Sequence, residues 1–125
     1  MQVVRLDPAD PKPRWLRGDT LFRSGEYSRA LVDYDKAIRL DSTSHDYFYS
    51  RAIVHTYLYQ CDNAIAVLTE AIQLSQESPV TASYYYRDRA KIHRARGDYG
   101  KAEADLANVH ELFPELFASL SQDLE

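Results

Sequence analysis

One spacing governs this chain. Ala30 and Ala64, Ala37 and Ala71, Leu40 and Leu74, and Arg17 and Arg51 all stand 34 residues apart. A third copy follows at a distance of 38, pairing Ala64 with Ala102, Leu68 with Leu106 and Leu74 with Leu112. A fixed period of this length marks stacked supersecondary units, none of which can bury its apolar face alone. Four extra residues therefore separate copies two and three. The spacing puts them in a turn around Glu77–Ala82, where Ser78 and Pro79 interrupt a helix. The period also runs backwards, because Leu6 and Asp7 lie 34 before Leu40 and Asp41. VVRLDPADP thus reads as the close of a preceding unit, from an array cut short or from a protein that begins with half a unit.

Within a unit the apolar spacing is helical. Tyr27, Ala30, Leu31, Tyr34, Ala37 and Ile38 form one stripe of an amphipathic helix. Gly25 and Gly97 occupy the same place in copies one and three, where a left-handed residue ends one helix and lets the next begin. No stretch of useful length alternates as a strand does. Each copy is predicted as helix, tight turn, helix, and the fold class as all-α.

These features resemble the tetratricopeptide repeat, a 34-residue helix-turn-helix with small residues at fixed places. Copy one supplies Gly18, Tyr27, Ala30, Tyr34, Ala37 and Leu40; copy two supplies Phe48, Ala52, Ala64, Leu68 and Ala71. Copy three supplies Tyr86, Ala90, Tyr99, Ala102, Leu106 and Pro114. Trp15 sits one place late, arginine stands where the family has leucine at Arg17, Arg51 and Arg89, and Cys61 replaces a tyrosine. The resemblance implies a right-handed α-solenoid. Its expected divisions are the tail of a preceding repeat (1–10), repeats at 11–44, 45–78 and 83–113, an insertion at 79–82, and a capping helix at 114–125. In that cap Leu116, Phe117, Leu120 and Leu124 make one stripe. The uncapped beginning leaves an apolar edge through which the isolated chain would self-associate. Gly18, Ala52 and Ala90 are expected to let paired helices approach, with Tyr34, Leu68 and Leu106 filling the seams.

Chemistry is sparse. The chain has no glycine-rich phosphate loop, nucleophile elbow or His-Glu-x-x-His motif, so no catalytic residue, cofactor or metal ligand is assigned. Lone Cys61 excludes an internal disulfide and reads as a small buried hydrophobe; a reducing, cytoplasmic setting is the expectation. No window approaches a membrane span. His55 and His93 recur at one place, which stacking would bring together, but two histidines make a poor zinc site. Arg17, Arg51 and Arg89 also recur, and are expected to pair with acids on neighbouring helices.

The resemblance implies that the first helix of each unit lines a concave groove for a partner peptide. The positions that carry over include Trp15, Asp19, Phe22, Tyr49, Ile53, Tyr57, Tyr84, Arg87, Lys91 and Arg94. The large aromatics among them read either as binding anchors or as packing between first helices. Charge is uneven: six bases against two acids between Tyr84 and Lys101 give a local +4 in a chain of net −4. Arg87, Lys91 and Arg94 fall on one helical line, and suggest a partner with apolar anchors and an acidic stretch. The alternative is nucleic-acid binding by the basic, tyrosine-rich helix 84–96. Family members that clamp a C-terminal carboxylate use lysine, asparagine and arginine; the matching places here hold Trp15, Asp19, Ser50, Tyr84 and Asp88. A co-chaperone of that kind is therefore not implied.

Overall fold

Seven helices follow one another in the computed structural model, which describes residues 8–123, with side chains through Ser119. They are α1 (Lys12–Arg23), α2 (Tyr27–Leu40), α3 (His45–Tyr57), α4 (Cys61–Leu74), α5 (Pro79–Ala95), α6 (Tyr99–Leu112) and α7 (Pro114–Asp123). Each helix packs on its neighbours in sequence, and α1 also meets α3. The chain is a right-handed α-solenoid of three helix-turn-helix units closed by a capping helix. No described helix is long and apolar enough to cross a membrane. Residues 1–7 of the preceding repeat's tail read at 1–10, and Leu124 of the cap, lie outside the described residues; so does the side chain of Leu120.

The turn inside each pair has one backbone design. Gly25 and Gly97 sit at φ +81° and +84°. The following amides, Glu26 and Asp98, donate back to Leu21 O and His93 O at 2.9 and 2.8 Å, the Schellman closure of a helix. The second pair closes identically, Gln60 N donating to His55 O at 2.9 Å, yet its left-handed residue is Tyr59 at φ +58°. Its place, 34 after Gly25, was the one available signal.

Small residues let each pair close, with Ala30, Ala37, Ala52, Ala64, Ala71, Ala90 and Ala102 all buried. Partner size is matched across the seam. A Cβ on Gly18 would lie 2.6 Å from Cε1 of Tyr34, so the largest filler faces the one glycine. Ala52 has Leu68 in the corresponding place and Ala90 has Leu106, which is half-buried rather than enclosed. Cys61 is likewise half-buried, the first residue of α4 against the edge of the Leu68 cluster, and not the fully buried hydrophobe expected.

The four residues expected in a turn are helical. Ser78 and Pro79 do end the preceding connection, but Pro79 stands at the first position of α5, where its missing N–H costs nothing. Residues 79–82 thus add about one turn to α5, which has 17 residues against 13 in α3.

The three recurrent arginines tie the stack. Arg17 and Arg89 each grip an aspartate on the second helix of their own pair with two bonds. Arg17 Nε and Nη2 donate to Asp33 at 2.7 Å each, and Arg89 Nε and Nη2 to Asp105 at 2.9 and 2.7 Å. These carboxylates favour the charged guanidinium and raise both arginine pKa values. The second pair has Val67 at the aspartate position, so Arg51 reaches back to Asp35 of α2 at 3.0 Å. Its buried Nε is left without a hydrogen-bond partner.

Candidate functional site: the concave groove

Aromatic contacts join the first helices α1, α3 and α5, the helices that the resemblance expects to line the groove. Trp15 packs on Tyr47 with ring centroids 5.2 Å apart, and its Nε1 donates to Ser50 Oγ at 2.9 Å. Tyr49, 34 residues after Trp15, stacks on Tyr85 at 4.7 Å and 29°. Phe22, Tyr27 and Tyr57 form a three-ring cluster in which Phe22 and Tyr57 meet edge-on at 5.0 Å. Trp15, Phe22 and Tyr49 therefore serve packing between helices. Tyr57, 57% exposed, still presents a ring to solvent.

Two recesses open along this surface. One, of about 450 Å³, lies between α3 and α5 and is lined by Tyr49, Ile53, Thr56, Tyr57, Asp88 and Lys91, with Leu68 at its back. The other, of about 280 Å³, lies between α1 and α3 and includes Asp19, Phe22, Arg23 and Ser50. Tyr49 and Ile53 line both, so the recesses form one groove. It gathers Asp19, Phe22, Tyr49, Ile53, Tyr57 and Lys91. Trp15, Tyr84, Arg87 and Arg94 line neither recess.

The groove's carboxylates are already engaged. Tyr34 donates its hydroxyl to Asp19 at 2.5 Å, and Tyr49 donates to Asp88 at 2.6 Å. Burial, and then these carboxylates, push both phenol pKa values up, so neither ionises near neutral pH. Arg87 Nε donates to the same Asp88 at 3.0 Å, and the guanidinium lies 4.9 Å over Tyr84, whose ring meets Phe113. Arg94 turns toward Tyr99, 5.7 Å from its ring. The expected basic line is thus broken up, and Lys91 is the one cation in the larger recess.

Helix 84–96 is similarly committed to structure. Tyr85 is 4% exposed with its hydroxyl 2.7 Å from His45 Nδ1, Arg89 is held by Asp105, and Arg96 pairs with Asp62. The two recurrent histidines are buried separately. His55 Nδ1 lies 2.7 Å from Gln60 Oε1, and His93 Nε2 lies 3.9 Å from Asp105. No group of three metal-ligating side chains occurs among the described residues.

A stack of paired helices with a preformed apolar groove defines a helical-repeat scaffold. The chain belongs to the tetratricopeptide repeat family, whose repeat model matches residues 18–56. It is 33% identical over 86 residues to the tetratricopeptide repeat and J domain-containing co-chaperone DNJ1 of Cryptococcus neoformans, covering 69% of this chain but only 16% of that protein. It is 23% identical over 121 residues to photosystem I assembly protein Ycf3 of Cyanophora paradoxa, covering 90% of this chain and 68% of that one. Similar solved structures include the N-terminal domain of stress-induced protein-1 from C. elegans, with a TM-score of 0.82 at 17% identity, covering 92% and 94% of the two chains. Another is the first TPR of Spaghetti bound to an HSP90 peptide, at 0.74 and 21% identity, covering 98% of each.

Proposed function

We propose that the chain is a non-catalytic interaction scaffold that binds a partner peptide in the groove between α1, α3 and α5. The observation that carries this reading is the continuity of the two recesses through Tyr49 and Ile53. A ligand side chain of leucine or phenylalanine size would enter the larger recess against Ile53, Tyr57 and Leu68. A ligand carboxylate nearby would pair with Lys91. A terminal-carboxylate clamp is disfavoured, since Trp15 and Ser50 bond to each other and Asp19 and Asp88 bring negative charge. A rigid stack presents the groove preformed, so little receptor ordering opposes binding. The Spaghetti domain of similar fold, solved with an HSP90 peptide bound, supports peptide binding by such a stack. A cytoplasmic, reducing setting suits lone Cys61.

The test is selection of a displayed random peptide library on the intact chain, with amide shift mapping of the winners. Selected peptides should share an apolar residue beside an acid, shift Tyr49, Ile53 and Lys91, and lose at least about tenfold affinity, about 1.4 kcal/mol, with Ile53→Glu. Winners that map away from α3 and α5, or that ignore Ile53→Glu, would overturn the reading.

A further inference from the structure

The two carboxylates of the groove are not held alike. Asp88 takes Arg87 Nε at 3.0 Å as well as the Tyr49 hydroxyl, so an adjacent guanidinium offsets its charge. Asp19 takes a neutral phenol instead. Its Oδ1 accepts the Tyr34 hydroxyl at 2.5 Å, and its Oδ2 has no partner among the described residues. A hydroxyl bond leaves a carboxylate its charge and further acceptor sites. Arg23 lines the same recess, four residues on, but no ion pair joins the two. It is exposed in the last turn of α1, where a cation faces the negative end of the helix. Lys91, in the larger recess, is likewise exposed and without an ion pair among the described residues.

Register sets these charges in a row. Asp19, Ile53 and Lys91 lie 34 and 38 residues apart, so they hold one place in α1, α3 and α5. Asp19 and Ile53 share the smaller recess, and Ile53 and Lys91 the larger. The row therefore reads acid, apolar, base across the three first helices, with the aliphatic side chain at its centre. Neighbouring packed helices lie about 8–10 Å apart, which sets α1 and α5 roughly 16–20 Å from each other. An extended peptide turns every second side chain to one face and advances about 13 Å in four residues, and flexible arms cover the remainder. An α-helix advances only about 6 Å in the same four residues, too little to reach both ends of the row.

We propose that the occupant of the groove is an extended internal segment of mixed charge, base-x-aliphatic-x-acid, laid across the first helices with its base on Asp19 and its acid on Lys91; this rests on the groove being the binding site. The aliphatic residue enters the larger recess beside Ile53. No chain terminus is needed, because both anchors meet side chains. A uniformly acidic segment sets a carboxylate against the unpaired charge of Asp19, and a uniformly basic one meets Lys91. The charges decide which end of the segment lies over α1, and the chain direction follows from their order.

The probe is an acetylated, amidated peptide with Lys-Ser-Leu-Ser-Glu at its centre and Gly-Ser flanks, titrated into the intact chain and followed by amide shifts. Replacing the peptide's lysine with glutamine should weaken binding roughly fivefold, and Asp19→Asn should do the same. The two changes together should cost no more than either alone, since both remove one contact. Asp19→Asn keeps an acceptor for Tyr34, so the variant should melt as the parent does; if it does not, the peptide exchange alone decides. Glutamine for lysine without effect overturns the proposal, as do additive losses or the absence of saturable shifts at millimolar peptide. Tighter binding of a Glu-Ser-Leu-Ser-Glu peptide would give the smaller recess to Arg23 and overturn it too. Library winners that depend on Ile53 yet carry no base would leave the groove standing and overturn this refinement alone, whereas indifference to Ile53→Glu overturns both.

Discussion

The first and third helix pairs close their turns on glycine and lock their helices with an internal arginine–aspartate grip; the second pair does neither. Its turn holds Tyr59 in a left-handed conformation, and its arginine leans back on the preceding pair. Yet all three turns close with matching hydrogen bonds. The middle pair thus keeps the same closure without glycine, at a local backbone cost that the outer pairs avoid. That same middle pair supplies Tyr49, Ile53 and Tyr57 to the groove.

The largest expected effect probes the internal grips. Asp105→Ala leaves a guanidinium with 19% exposure unpaired, and should lower the urea unfolding free energy by about 3 kcal/mol. Asp33→Ala should cost clearly less, because the half-exposed Arg17 can turn to water. Equal losses would mean that the two grips do not differ as their burial implies.

A smaller effect concerns the matched seam. Gly18→Ala puts a methyl against the Tyr34 ring and should cost about 1–2 kcal/mol, after a helix-propensity gain of about 1 is allowed for. Adding Tyr34→Leu recreates the alanine–leucine combination of the second pair, and should recover most of the loss in thermal melting. Failure to recover would show that the bond from Tyr34 to Asp19, rather than volume, sets the first seam.

The smallest effect is a gain. Tyr59 is 90% exposed at φ +58°, so Tyr59→Gly should raise stability by about 1 kcal/mol in the same urea assay. Gly25→Ala should lower it by about as much. A destabilised Tyr59→Gly would mean that the tyrosine ring makes a compensating contact.

The solenoid could be read from the sequence because it rests on properties that repeat: small residues at 34, glycines at turns and a helical stripe. The arginine pairing was also legible, since a charge recurring in register meets the same neighbour each time. The partner of Arg51 was not, because it depends on Val67 standing where the other units hold aspartate. The groove was legible as a set of positions and obscure in its chemistry. The resemblance implies that Trp15 and Tyr49 face inward and leaves open whether they anchor a ligand or pack; each spends its ring on the next first helix. The Arg87–Asp88 contact joins adjacent residues, which do not ordinarily face one another on a helix, so no spacing rule would propose it. Lys91 remained available because its helical neighbours found other partners.

The arginine ladder also gives the array a grammar of order. Each later arginine reaches back to the unit before it: Arg51 pairs with Asp35, and Arg89 donates to Thr69. The corresponding place in the third unit is Ala107, which offers no side-chain acceptor. A circularly permuted chain that set the first unit behind the third would bring Arg17 against that alanine. Units alike in shape are therefore not interchangeable in sequence order, and the stack reads in one direction.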